Sequence, residues 1–129
     1  MTQKKKILVV DDEVMMTRML KRSLEATGNY EVQELNHGAR ALEACRTFMP
    51  DLVLLDVMMP DMDGGEVAAA LSEDSELNAV KIVFLTAIVT KDEVPPTGAD
   101  ISGRTFLAKP VKTADLVACI EAQLNRQAF

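Results

Sequence analysis

Leu52 to Leu55 is an unbroken apolar run with no polar residue at alternate positions, and Asp56 ends it. A strand exposed on one face alternates in character, whereas a run without alternation suits a strand buried on both faces of a parallel sheet. A carboxylate at the end of such a run is in a costly place. Val57, Met58 and Met59 cannot neutralise it, Pro60 stops the strand, and the turn from Asp61 to Gly65 leads into an alanine-rich helix. Asp56 is therefore expected at the mouth between a strand and a loop. Taken alone it reads equally well as a turn aspartate that hydrogen-bonds nearby backbone.

The chain on either side repeats this plan. Ile7 to Val10 is a second short apolar run and ends on Asp11 and Asp12. From Val14 to Thr27, Met16, Met19, Leu20 and Leu24 recur at three- and four-residue steps, which predicts an amphipathic helix with these four facing inward. Gly28 and Asn29 stop it, and Tyr30 to Leu35 reads as a short edge strand. Asn36 is positioned to cap a second helix from His37 to Phe48, with Ala41, Leu42 and Cys45 on its inner side. After the strand Leu52 to Leu55, the next helix spans Gly65 to Leu71 or a little beyond, and Val80 to Leu85 forms a fourth strand. Thr90 to Glu93 is a capping box, but Pro95 and Pro96 allow at most a turn or two of helix. Thr97 to Gly103 is turn-rich, Thr105 to Ala108 is a fifth strand, and a last helix runs from Ala114 to Arg126 with Leu116, Val117, Ile120 and Leu124 inward.

Alternating strands and helices imply right-handed crossovers and a parallel sheet with helices on both faces. With 129 residues, one domain over residues 1–129 is expected. The 48% hydrophobic and 26% charged content is that of a globular protein, and a net charge of −6 argues against direct nucleic-acid binding. The four apolar residues after the basic start are too few for a signal peptide or a membrane span, so the cytoplasm is the expected location. Cys45 and Cys119 stand far apart with no metal-ligand spacing, and both are expected to be buried, reduced thiols. His37 has no companion ligand and reads as structural or exposed. The methionines read as adaptable core and rim filling.

In an open parallel sheet, ligands bind at the carboxyl ends of the strands. Asp11, Asp12, Asp56 and Thr86 stand at such ends, and Lys109 follows the fifth strand. Singly each has an ordinary role: a helix cap, a turn residue, a solvated charge. Together they make a cleft of three carboxylates that calls for a cation, and hard oxygen ligands suit magnesium. An aspartate nucleophile, a divalent ion, a lysine and a hydroxyl are the parts of a phosphoryl-transfer site.

The segments KILVVDDE (Lys6 to Glu13), PDLVLLDVMMPDMDG (Pro50 to Gly64), VFLTA (Val83 to Ala87) and FLAKPV (Phe106 to Val111) resemble, in this order, the receiver domain of two-component response regulators, single-domain members similar to chemotaxis regulators included. The resemblance implies a flavodoxin-like doubly wound five-stranded parallel sheet in the order 2-1-3-4-5, with a shortened or irregular fourth helix. It implies that Asp56 accepts a phosphoryl group from a sensor histidine kinase or a histidine phosphotransfer protein. Magnesium would be held by Asp12, Asp56 and the backbone carbonyl of Met58, with Asp11 completing the acid pocket through water. Thr86 and Lys109 would contact the phosphoryl oxygens, and Phe106 would be the aromatic that moves with Thr86. Met58 and Ile88 would flank the approach of a hydrolytic water. Such a domain is not an enzyme on other substrates, catalysing only its own phosphorylation and dephosphorylation. With nothing after Phe129, its output would pass to a downstream effector protein, return phosphate within a relay, or rest on a domain absent from this stretch; homodimerisation is left open and a membrane partner is not expected. Pro95 and Pro96 depart from the family pattern where output contacts usually form. One alternative is an aspartate-nucleophile phosphohydrolase of the haloacid dehalogenase type, but Met58 stands where its second aspartate belongs. The other is a degenerate receiver that binds partners without phosphorylation.

Overall fold

The computed structural model describes residues 4–57, 59–60, 62–86, 99–101, 104–109 and 111–125; of 99–101 and 104 only the backbone is described. The elements are β1 (Lys5–Val10), α1 (Val14–Glu25), β2 (Tyr30–Leu35), a 3-10 turn (Gly38–Arg40) running into α2 (Ala41–Phe48), β3 (Leu52–Asp56), α3 (Gly64–Glu73), β4 (Lys81–Thr86), β5 (Ala99–Ile101), β6 (Arg104–Ala108) and α4 (Thr113–Leu124). The sheet order is β2-β1-β3-β4-β6-β5. Its first five strands are parallel, which is the expected order with β6 as the fifth parallel strand. The addition is β5, three residues that pair antiparallel with β6 inside the stretch expected to be all turn. The short fourth helix expected around Thr90 to Glu93, and Ile88, lie outside the described residues.

Alternate residues of each central strand feed two cores. Ile7, Val9, Leu52, Leu54, Val83, Leu85 and Leu107 pack with Leu20 and Leu24 of α1 and with Leu116, Cys119 and Ile120 of α4. Leu8, Val10, Val53, Leu55 and Phe84 pack with Ala41 and Cys45 of α2 and with Val67, Ala68 and Leu71 of α3. This is why the runs show no polar alternation: both faces are dry. Within α1, Thr17, Leu20 and Leu24 form the buried stripe, while Met19 is half exposed and Met15 and Val14 point out. The expectation of an inward Met19 is corrected: at 3.6 residues per turn, position 19 falls about 100° beyond Leu20, outside the arc that Thr17, Leu24 and Leu20 share. Met15 and Met49 are likewise exposed rather than core, whereas Met59 is buried. In α4 the inner face also takes Gln123, whose amide donates to Thr105 Oγ1 at 3.0 Å. Val117 and Leu124 are partly buried against the same core.

Helix ends follow local chemistry. Gly28, at φ 83°, takes the left-handed conformation that ends the α1 segment. The Asp63 side chain accepts from the N–H of Glu66 at 2.9 Å and caps α3. Asn36 does not cap the second helix: His37 precedes the 3-10 turn, without a side-chain cap, and the Asn36 amide is engaged elsewhere.

Cys45 and Cys119 are both fully buried, in different cores on opposite faces of the sheet, beyond the reach of a disulfide. Burial pushes the Cys45 thiol up to about 11. At about pH 8 the thiolate that reacts with alkylating agents is therefore scarce as well as shielded. Native protein treated with a maleimide should stay unlabelled, and denatured protein should take two labels; rapid double labelling of the native protein would contradict this core.

Candidate functional site

Each strand that ends at the upper rim hands over one polar group. Asp11 directly follows β1, its N–H donating to the Leu35 carbonyl at 3.0 Å, so the β1–β2 ladder continues one residue beyond the strand. Its Oδ1 accepts from the Glu13 N–H at 3.0 Å, which starts α1. Asp56 is the last residue of β3, opposite Leu85 of β4. Thr86 ends β4, opposite Ala108 of β6, and its carbonyl accepts the N–H of Lys109 at 2.9 Å. Parallel register thus delivers all of these to one rim without any long loop.

Asp11 is 1% exposed and Asp56 6%, while Asp12 is exposed. Carboxylate oxygens of the three lie within 4.8 Å of one another. The Lys109 ammonium enters this group, 2.7 Å from Asp11 Oδ2 and 3.4 Å from Asp56 Oδ1. One cation against three carboxylates leaves the cleft negative, and its donors are all hard oxygens. That set fits a divalent magnesium ion in both charge and ligand type. Burial works to lower the Lys109 pKa, but the hydrogen bond to Asp11 and the charges of Asp11 and Asp56 outweigh it, so the ammonium is held above its ordinary 10.5. A folded value above the unfolded one gives stability that is fully present below the unfolded pKa and is lost as pH rises through the folded pKa. The stability difference between wild type and Lys109→Met, from urea denaturation, should stay level up to about pH 10 and shrink above it.

Gly64 lets the backbone close against Asp56, and Gly38 lets the 3-10 turn close against Met62. A Cβ built on Gly64 would lie 2.5 Å from the Asp56 carbonyl oxygen and 3.0 Å from Val57 Cα. One on Gly38 would lie 2.8 Å from the Met62 carbonyl oxygen. Gly64 also donates its N–H to the Val57 carbonyl at 2.9 Å, tying the start of α3 to the residue after Asp56. Sequence reading placed Gly64 in a motif and a turn; its signal was a small residue at a helix start, but the close approach itself is tertiary.

Of the expected site residues, Asp11, Asp12, Asp56 and Lys109 come together, and Thr86 is buried at the adjoining strand end. Met58 lies outside the described residues. Phe106 stands beside Phe84 in the β4–β6 register, and their rings stack with centroids 5.0 Å apart, so its half-buried ring rests on the α2–α3 side of the sheet. His37 is exposed, as expected.

The family described as the response regulator receiver domain matches residues 7–121 of this chain. The chain belongs to that family. The receiver domain is 38% identical over 125 residues to the DNA-binding response regulator MtrA of Mycobacterium tuberculosis, covering 97% of this chain and 53% of that protein. It thus spans about half the length of the curated relatives it matches. Among solved structures, the chemotaxis protein CheY4 of Vibrio cholerae superposes with a TM-score of 0.79 at 26% identity, over 94% of this chain and 99% of that one. The signal receiver domain of a signal transduction histidine kinase from Syntrophus aciditrophicus gives a TM-score of 0.76 at 28% identity, over 97% and 96%. Membership makes this receiver domain a phosphorylation-dependent signalling unit with a flavodoxin-like fold, and the phosphohydrolase alternative finds no support. Among the described residues, no helix is long and apolar enough to cross a membrane.

Proposed function

We propose that this receiver domain takes a phosphoryl group onto Asp56 from a phosphohistidine of a sensor kinase or of a histidine phosphotransfer protein, and passes the signal to an effector protein or returns the group within a relay. The observation that carries this reading is the buried Asp56 carboxylate sharing the Lys109 ammonium with Asp11 at a rim where three carboxylates crowd within 4.8 Å. A carboxylate oxygen of Asp56 forms the new O–P bond as the N–P bond to imidazole breaks, and the released electron pair stays on the imidazole nitrogen, which takes up a proton. Lys109, positively charged at every physiological pH, is placed to meet a phosphoryl oxygen as charge builds there. Thr86 would offer its hydroxyl from the adjoining strand. Asp12, Asp56 and the backbone carbonyl of Met58 would hold magnesium, with Asp11 acting through water; the ion supplies neutralisation of the phosphoryl charge when bound.

The route outward runs through Thr86 and Phe106. They lie on the neighbouring strands β4 and β6, and the Thr86 carbonyl is bonded to Lys109. A hydroxyl drawn toward the phosphoryl group would shift the strand end that supports the Phe84–Phe106 stack, so the ring is the natural reporter of the phosphorylated state.

Incubation of the purified chain with acetyl phosphate and magnesium, read by intact mass and peptide mapping, tests the proposal. The expected result is one magnesium-dependent phosphoryl adduct on Asp56. Continuous release of phosphate without an adduct would turn the reading into that of a hydrolase, and no adduct with any small phosphodonor would overturn acceptance.

A further inference from the structure

The loop that carries Asp11 and Asp12 is held from the side by a chain of polar groups that sequence reading did not foresee. Asn36, just beyond β2, donates one amide hydrogen to the Asp11 carbonyl at 2.8 Å and the other to Thr17 Oγ1 at 3.0 Å. Thr17, in α1, is 0% exposed. Its hydroxyl accepts from Asn36 and directs its single hydrogen to the Val14 carbonyl at 3.0 Å or to Glu34 Oε2 at 3.2 Å. The end of β2, the first turns of α1 and the loop after β1 are thereby joined through side chains at one point.

That point is the peptide between Asp11 and Asp12. A peptide unit is planar, so fixing the direction of the Asp11 carbonyl also fixes the N–H of Asp12 and the origin of its side chain. Asp12 is exposed and has little packing of its own to hold it. The peptide before it places its Cα, and so bounds where its carboxylate can reach. The amide of Asn36 can hold that peptide only while its own rotation is fixed, and the buried Thr17 hydroxyl is what fixes it.

We propose that Asn36 and Thr17 are positioning residues of the acid pocket: together they set the Asp11–Asp12 peptide plane and so the affinity of the pocket for a divalent cation, without touching the cation or the phosphoryl group. This rests on the reading that the cation sits on Asp12 and Asp56. It differs from a merely structural role, in which loss of the bonds would lower the melting temperature and leave cation binding alone.

Calorimetric titration of the purified chain with magnesium chloride, with melting temperatures taken on the same samples, separates the two. Thr17→Val keeps the shape and removes the hydroxyl, Thr17→Ser keeps the hydroxyl, and Asn36→Ala removes the amide. Because Thr17→Val and Asn36→Ala break the same connection from opposite ends, either soluble variant is informative. The expected dissociation constant rises about fivefold to tenfold in Thr17→Val and Asn36→Ala and stays within about twofold of wild type in Thr17→Ser. Wild-type affinity in Thr17→Val and Asn36→Ala, alongside weakened binding in Asp12→Ala, would overturn the positioning role. Wild-type affinity in Asp12→Ala as well would overturn the cation reading itself, and this inference with it.

Discussion

Asp56→Asn is expected to lose phosphoryl acceptance by at least about a thousandfold, roughly 4 kcal/mol in barrier, because an amide oxygen is a far weaker nucleophile than a carboxylate. The same variant should fold at least as stably as wild type when magnesium is absent. Asp56 gains an attraction to Lys109 at 3.4 Å, but faces carboxylates of Asp11 and Asp12 within 4.8 Å, and its own burial strips water from a charge. Lys109 keeps its shorter contact with Asp11, at 2.7 Å, so the substitution leaves no buried ion alone. Adding magnesium should reverse the order, stabilising wild type through linkage and Asp56→Asn much less. Urea denaturation with and without magnesium, beside the intact-mass assay, measures both effects. A loss of more than about 2 kcal/mol in the magnesium-free variant would mean that Asp56 is a structural anchor and not a charge kept for its reactivity.

The second large effect is expected at Gly64. A Cβ there would sit 2.5 Å from the Asp56 carbonyl oxygen and 3.2 Å from the Asp56 carbonyl carbon, so valine forces the start of α3 and the acceptor peptide apart. The nearest atoms are backbone and cannot swing aside like a side-chain tip. Gly64→Val should cost about 1–3 kcal/mol in stability, the usual range for overpacking. Phosphorylation should also slow by about tenfold or more, since small misplacement of a reacting group is amplified in rate. Gly65→Val is the control, because among the described residues the only contact there is the Asp63 side chain at 3.2 Å, and it should change little at Asp56. Equal behaviour of the two variants would show that the close approach at Gly64 is not what places Asp56.

The parts of this molecule visible in the sequence are those set by local pattern. The dry strands announce themselves as apolar runs, and Asp11, Asp12, Asp56, Thr86 and Lys109 stand out because polar groups end those runs. What stayed hidden is tertiary. Thr17 looks like a polar gap in an apolar stripe, yet it lies on the buried face because its hydroxyl has partners on two sides. Asn36 has the chemistry of a helix cap and spends it on Asp11 instead. Met19 has the chemistry of a core residue and the angular position of a surface one. Ala99–Ile101 contains no apolar run at all, and its pairing with β6 depends on a neighbour strand that only the fold supplies.

The Lys109–Asp11 contact spans 98 positions of the chain. During synthesis, the carboxylates of β1 and β3 emerge long before the ammonium that sits among them. A nascent polypeptide still missing β6 carries Asp11 and Asp56 but lacks the ammonium that joins them. If Asp56 accepts a phosphoryl group as proposed, that site is expected to be assembled only when β6 docks as the last parallel strand. On the proposed reading, chain order itself ties the readiness of the site to a finished sheet.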